Sequence, residues 1–299
     1  MRKHPTNILA GAVLALAFTV AAQGSANRTF VSTGGVDGNT AANCSSGSPC
    51  RSFAAALSVT NSGGELVVVN SGGYGPATIS QPVVITAIGI DASITALTGE
   101  NGLTIDTTGN VTITGLNLHG GDVANDGILV TEVGFLRLYS VDIENFVNDG
   151  IEFTSSGNLA VYDSKITDSH ANGLLLNNAS AKAYVHNTSF DNNTTAGANA
   201  ALGNMTVADS SAHYNGIGFY ASGGTLALQS DRAIFNTAAG LESSGASAQL
   251  YFAGCLISEN AKSYIIASSG TMFGSNPGTT LITPEQTHTG VLSTAIVLN

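Results

Sequence analysis

The chain contains no tryptophan, only three cysteines, and little charge: nine Lys/Arg and twenty Asp/Glu among 299 residues. The shortage of Lys and Arg excludes the clustered positive surface that a phosphate backbone needs, so nucleic acid is not an expected partner. Thiolate metal chemistry is excluded too, since the cysteines have no further ligands at close spacing. Beyond the first 26 residues no apolar run is long enough to span a bilayer. Nor does any part of the repeating region carry an amphipathic helical pattern, which rules out leucine-rich and helical solenoids. With 43% apolar residues and so few charges, disorder is not expected either.

At the N-terminus, Arg2 and Lys3 precede an apolar stretch from Ile8 to Ala22 and then small residues. This pattern predicts a cleaved signal over residues 1–26, hence a secreted or periplasmic protein with no membrane span after cleavage. Losing Arg2 and Lys3 leaves seven basic residues against twenty acidic ones, a net charge near −13. Cys44 and Cys50 lie in the short loop "NCSSGSPC", and in an exported protein this pair is expected to form a disulfide. Cys255, in "LYFAGCLIS", is left as a buried small apolar residue.

The most informative feature is a repeat. Gly127-Ile128, Gly150-Ile151, Gly173-Leu174, Gly197-Ala198, Gly218-Phe219 and Gly240-Leu241 recur at steps of 23, 23, 24, 21 and 22 residues. Within each repeat a second segment alternates strictly, with Leu136/Leu138, Leu159/Val161, Ala183/Val185, Met205/Val207, Leu226/Leu228 and Leu250/Phe252 on one face. A period of two over five residues is a strand with one buried side. Three short strands per repeat of this length predict one coil of a parallel β-helix. Such a coil cannot bury its apolar face alone, so the coils stack.

The expected fold class is therefore all-β, a right-handed parallel β-helix over residues 65–270. Residues 27–64 supply a strand, the cysteine loop and a capping helix in "RSFAAALSV", with Ser52 as N-cap and Phe53, Ala56 and Leu57 inward. Residues 271–299 lose the period and read as a C-terminal cap or tail. Asn145, Asp168, Asn192 and Asn236 follow the third strand of their coils, with a slip of one residue at Asn236. Asn and Asp suit left-handed backbone and, stacked, predict a side-chain ladder inside the turn.

Gly-Ile/Leu strands at this period, with Asn turns, resemble the right-handed β-helix proteins of the pectin-lyase-like superfamily over residues 60–270. The N-terminal segment "RTFVSTGGVDGN" through "GGYGPATIS" is similar to a group of bacterial exported β-helix proteins without an assigned activity. The superfamily spans lyases, hydrolases, epimerases, esterases, tailspikes and adhesins, so the resemblance implies a fold more than a function.

Two constellations can carry chemistry. The phrases "ANDGILV" and "VNDGIEF" place Asp126 and Asp149 in matching positions of successive coils. They resemble the aspartate phrases of polygalacturonases, which would make Asp126 and Asp149 the catalytic pair, with Glu152 and His170 nearby. Asn172 stands where that family has histidine, and its Arg-x-Lys element has no counterpart in "AAGAN", "GIGFY" or "AAGLE". An inverting glycosidase needs its acid and base about 6.5–9.5 Å apart, and aspartates of adjacent coils reach that range or sit closer and share a proton. A competing reading makes Asp-Gly a turn that needs φ above zero. Nine of the twenty acidic residues fall between Asp122 and Asp168. No metal or cofactor is assigned; calcium stays open as an alternative that requires roughly six to eight oxygen ligands.

The second constellation is the outward face of the alternating strand: Arg137 and Tyr139, Tyr162, then Tyr184 and His186 on three consecutive coils. Aromatic rings and their hydroxyls suit sugars; the same residues also suit an ordinary half-exposed strand column. The sequence thus predicts an exported β-helix without catalysis, a module that binds a polysaccharide or cell-surface glycan or otherwise contacts a surface. The alternative is a polysaccharide-degrading enzyme using the acidic residues on adjacent coils.

Overall fold

The computed structural model describes residues 25–274 and 281–283. The expected signal segment, up to its last two residues, and most of the expected C-terminal segment lie outside them. The described chain winds through three parallel sheets of 11, 10 and 9 strands, here called A, B and C. One coil is Phe135–Tyr139 in sheet A, Asp142–Glu144 in sheet B and Ile151–Phe153 in sheet C, after which Asn158–Tyr162 reopens sheet A.

Strand alternation decides what points inward. Leu136 pairs in register with Leu159, which pairs with Ala183, and Leu138 with Val161 and then Val185. All twelve alternating positions named above are buried. Each buried Leu, Ile, Val or Phe contributes about 1.5–3 kcal/mol against exposure. Their partners lie in neighbouring coils, so the core is a continuous column rather than a ball.

The repeated glycines also fall in register: Ile128, Ile151 and Leu174, each following one of them, are cross-strand partners. Neither Gly127 nor Gly150 has positive φ, which corrects the turn expectation. A Cβ on Gly127 would sit 2.4 Å from the Gly150 carbonyl oxygen, and one on Gly150 2.7 Å from that of Gly173. Close approach of successive coils, not left-handed backbone, demands glycine there.

At the N-terminal end, Ala26–Val31 pairs with Thr60–Val68. The helix Phe53–Val59 covers the open end, burying Phe53, Ala56 and Leu57, with the Ser52 side chain accepting the Ala55 N–H. This closes an edge that would otherwise invite pairing with another chain. Cys44 and Cys50 are joined in a disulfide with Cα atoms 4.9 Å apart, and Cys255 is free and buried. At the other end, Thr271–Gly274 pairs with sheet A and Leu281–Thr283 with sheet B. The stack therefore runs past the boundary at residue 270 expected from the loss of period.

The turn from B to C refines the ladder expectation. Asn145, Asp168 and Asn192 are left-handed, with φ of 63°, 55° and 58°, but later coils put Tyr214, Phe235 and Glu259 in that position. The buried ladder lies one residue further on: Asn193, Asn215, Asn236 and Asn260. The slip at Asn236 arises because it belongs to this inner row and the other three to the outer one.

Candidate functional site

The two aspartates sit at the mouth of sheet C, where the turn from B delivers them just before the tight glycine. They are 5% and 6% exposed. Each helps build the next coil: Asp126 Oδ1 accepts the Asp149 N–H at 3.1 Å, and Asp149 Oδ1 accepts the N–H and Nδ2 of Asn172 at 2.7 and 2.8 Å. Asn101, which the sequence reading passed over, starts the row by accepting the Asp126 N–H at 3.2 Å.

Glu152 reaches the same spot from the outer face of Ile151–Phe153. One oxygen from each of Asp126, Asp149 and Glu152 lies within 4.8 Å of the others, closer than an inverting pair with a water between them. Burial raises the pKa of all three carboxyls, and the two aspartates raise that of Glu152 further. Hydrogen bonds from Asn148 to Asp126, and from Asn172 to Asp149, pull only partly the other way. Three such oxygens can share protons or present part of a hard-cation shell, but they fall short of a full calcium set.

His170 does not join them. Its Nε2 lies 3.2 Å from Asp122 Oδ1, with both side chains more than half exposed. The turn aims it outward, which corrects its place in the expected catalytic set. His119 pairs instead with Glu144 at 2.7 Å on sheet B, and Lys165 faces Asp142 on the same sheet. Beyond Glu152 the outer row of sheet C runs Leu175, Asn199, Tyr220, Glu242. Asn199 bridges Asn172 and Ser222, and burial raises the pKa of Tyr220 and Glu242. These four positions were readable from the repeat, as the residue after each Gly-apolar pair.

On sheet A the expected aromatic column is assembled. Tyr139 and Tyr162 stack at 5.0 Å between centroids with planes 8° apart. Tyr162 contacts Tyr184 at 5.9 Å and His186 at 6.4 Å, and Tyr184 stacks on His186 at 6.3 Å. Mutual stacking covers ring faces within the column, so the ring most open to a ligand is Tyr184, 39% exposed. The guanidinium of Arg137 lies 3.7 Å over the Phe135 ring, a cation–π contact within its own strand. His186 Nε2 faces Asp209 Oδ2 at 3.4 Å.

Beside this column, at the corner from A to B, is a groove of about 670 Å³. The residues that turn this corner, Ser140, Asp163, Asn187, Asp209 and Ser230, are all left-handed. Asn187 Nδ2 donates to Asp163 Oδ1 at 2.7 Å. The sequence reading missed this groove, although its corner residues directly follow the alternating strand in every coil.

Residues 56–203 and 101–277 match the family described as the right handed beta helix region. No curated protein matches the chain. Among solved structures it is similar to an alginate lyase from Paenibacillus sp. str. FPU-7, at 14% identity and a TM-score of 0.61, over 91% of this chain and 100% of that one. It is also similar to pectate lyase Pel9A, at 14% identity and a TM-score of 0.55, over 92% of this chain and 78% of that one. The A-module of Azotobacter vinelandii mannuronan C-5 epimerase AlgE4 gives 14% identity and a TM-score of 0.50, over 77% and 91%. At such identities the likeness shows the fold, and the site must be argued from its own geometry. Among the described residues no helix is long and apolar enough to cross a membrane.

Proposed function

The chain belongs to the right-handed β-helix family, and from that premise we propose that it is an exported protein that binds a glycan through the outer face of sheet A. The observation that carries this reading is the unbroken chain of ring contacts from Tyr139 through Tyr162 to Tyr184 and His186 across three coils. Stacking neighbours hold the rings in place, so little rotamer freedom is lost when a ligand arrives. Solved relatives of the same fold are named for alginate and pectate, which supports a polysaccharide as the ligand class.

A second reading, a polysaccharide-degrading enzyme, is favoured by the carboxylate cluster of Asp126, Asp149 and Glu152. It ranks lower because both aspartates are almost wholly buried and each uses one oxygen on the next coil's backbone. Among the described residues, no arginine or lysine is among the groups that shift the pKa of these three carboxyls, so nothing there offers a uronate sugar a cation. One experiment separates the readings, a glycan-binding screen run with a reducing-end release assay on the same polymers. Binding without release is expected, and Tyr162→Ala with Tyr184→Ala should weaken it by about 1–3 kcal/mol, taking base–aromatic stacking as the analogue. Release of new ends by the unsubstituted protein would put the enzyme in first place.

A further inference from the structure

The groove at the A–B corner has a definite composition. Its floor is one register row of sheet B: Asp142, Lys165, Ser189, Ser211 and Arg232. Its wall is formed by the corner residues, among them Asp163, Asn187 and Asp209. Tyr162 directly precedes Asp163 and His186 directly precedes Asn187, so these two members of the aromatic column adjoin the wall. The groove follows the helix axis and offers a fresh set of polar groups at each coil, about every 4.8 Å. Its volume lies within the range of small-ligand sites.

Two observations indicate what would fill it. Asp142 lines the groove and is only partly buried; its Oδ1 is covered and has no donor, so the other carboxylate oxygen is the acceptor that a ligand carrying hydroxyls would meet. The charges in the groove are mixed, with Asp142, Asp163 and Asp209 outnumbering Lys165 and Arg232. A polyuronate would add one negative charge per sugar to that excess. An extended β-1,4-linked chain, by contrast, advances by nearly one coil rise per sugar and carries hydroxyls on every unit.

We propose that this groove seats an uncharged, hydroxyl-rich glycan laid parallel to the helix axis, about one sugar per coil, with Asp142 accepting a sugar hydroxyl. This rests on the glycan-binding reading and narrows it to a ligand class and a path. The test is isothermal titration with two probes, a neutral β-1,4-linked glucan oligosaccharide and a polyuronate oligosaccharide of equal length. Ser189→Tyr with Ser211→Tyr fills the floor from outward strand positions. It should weaken binding of the neutral probe by about tenfold, equivalent to about 1.4 kcal/mol. Asp142→Ala removes both acceptor oxygens and should weaken it several-fold; unchanged affinity there overturns the proposal even if the filled variant does not fold. Binding that survives floor filling but is lost in Tyr162→Ala with Tyr184→Ala overturns the groove and leaves the glycan reading standing. Tighter binding of the polyuronate overturns the neutral-ligand assignment, and binding of neither probe by the unsubstituted protein overturns both readings.

Discussion

The turn from sheet B to sheet C is built in two ways, and the contrast bears on function. In the later coils Asn193, Asn215 and Asn236 each send their backbone N–H and Nδ2 to the Oδ1 of the next asparagine. Each Nδ2 also donates to a carbonyl of the preceding coil: Ile166, Phe190 or Ala212. The row is closed, buried and uncharged. In the earlier coils the polar row is displaced to the end of the turn and consists of Asn101, Asp126, Asp149 and Asn172, with the hydrogen bonds running the opposite way. A carboxylate has no N–H to give, so each aspartate supports the next coil only by accepting, through Oδ1. Asparagine would support the backbone equally well. The turn therefore accounts for a polar side chain at 126 and 149, but not for a carboxyl.

The largest expected effect comes from moving the charged solution into the amide row. Asn215→Asp removes the donors to Phe190 O and Asn236 Oδ1 and puts a carboxyl where the side chain is fully buried. Phe190 O loses this donor, Asn236 Oδ1 keeps only the Asn215 backbone N–H, and a carboxyl is buried beside them, so we expect a loss of about 3–5 kcal/mol at neutral pH in urea denaturation followed by far-UV circular dichroism. Part of it should return in acid, as the new carboxyl takes up a proton. An unchanged midpoint would break the comparison.

Next in size is a third polar row, at the A–B corner, where Asp231 accepts the N–H groups of Ser210 and Gln229. It is 1% exposed, and burial pushes its pKa up to about 7 against the pull of those two donors. A carboxyl whose folded value lies above its unfolded one stabilises the fold fully below the unfolded value. That contribution is lost as pH rises through the folded value. The thermal midpoint should therefore fall between about pH 4 and pH 7, for a loss of up to about 4 kcal/mol. Asp231→Asn should start lower, having one acceptor fewer, and show a flatter profile. A profile as steep as that of the unsubstituted protein would mean that another group titrates.

The repeat made the coil register, the inward Leu/Val rows and the aromatic column legible, because each follows from periodicity alone, and the Ser52 N-cap signal did the same for the capping helix. Periodicity says nothing of how closely coils approach, so Gly127 and Gly150 were assigned a φ requirement instead of their carbonyl contact. It is equally silent on which way a turn residue points. That is why His170, two residues before Asn172, looked like a neighbour of the carboxylates although its turn carries it out to Asp122. The groove escaped notice because its residues are ordinary Ser, Asn and Asp, and only their stacking makes a site.

The smallest change separates structural need from function at the carboxylates themselves. In Asp126→Asn with Asp149→Asn, each Oδ1 can still accept the next coil's N–H, so the fold is retained. The raised carboxyl pKa values of the folded state mean that the stabilising contribution is complete below the unfolded value and is lost as pH rises through the folded ones. The double amide should thus be more stable than the unsubstituted protein by roughly 1 kcal/mol at neutral pH, and nearly equal to it near about pH 4. Glycan affinity should not change, because the proposed ligand lies on sheet A and its corner with B. A gain in stability with binding intact and no lost reaction makes the carboxyls dispensable for binding. The same gain accompanied by loss of polymer cleavage would mark them as a site kept at a cost to stability, and the enzyme reading would then displace the binding one.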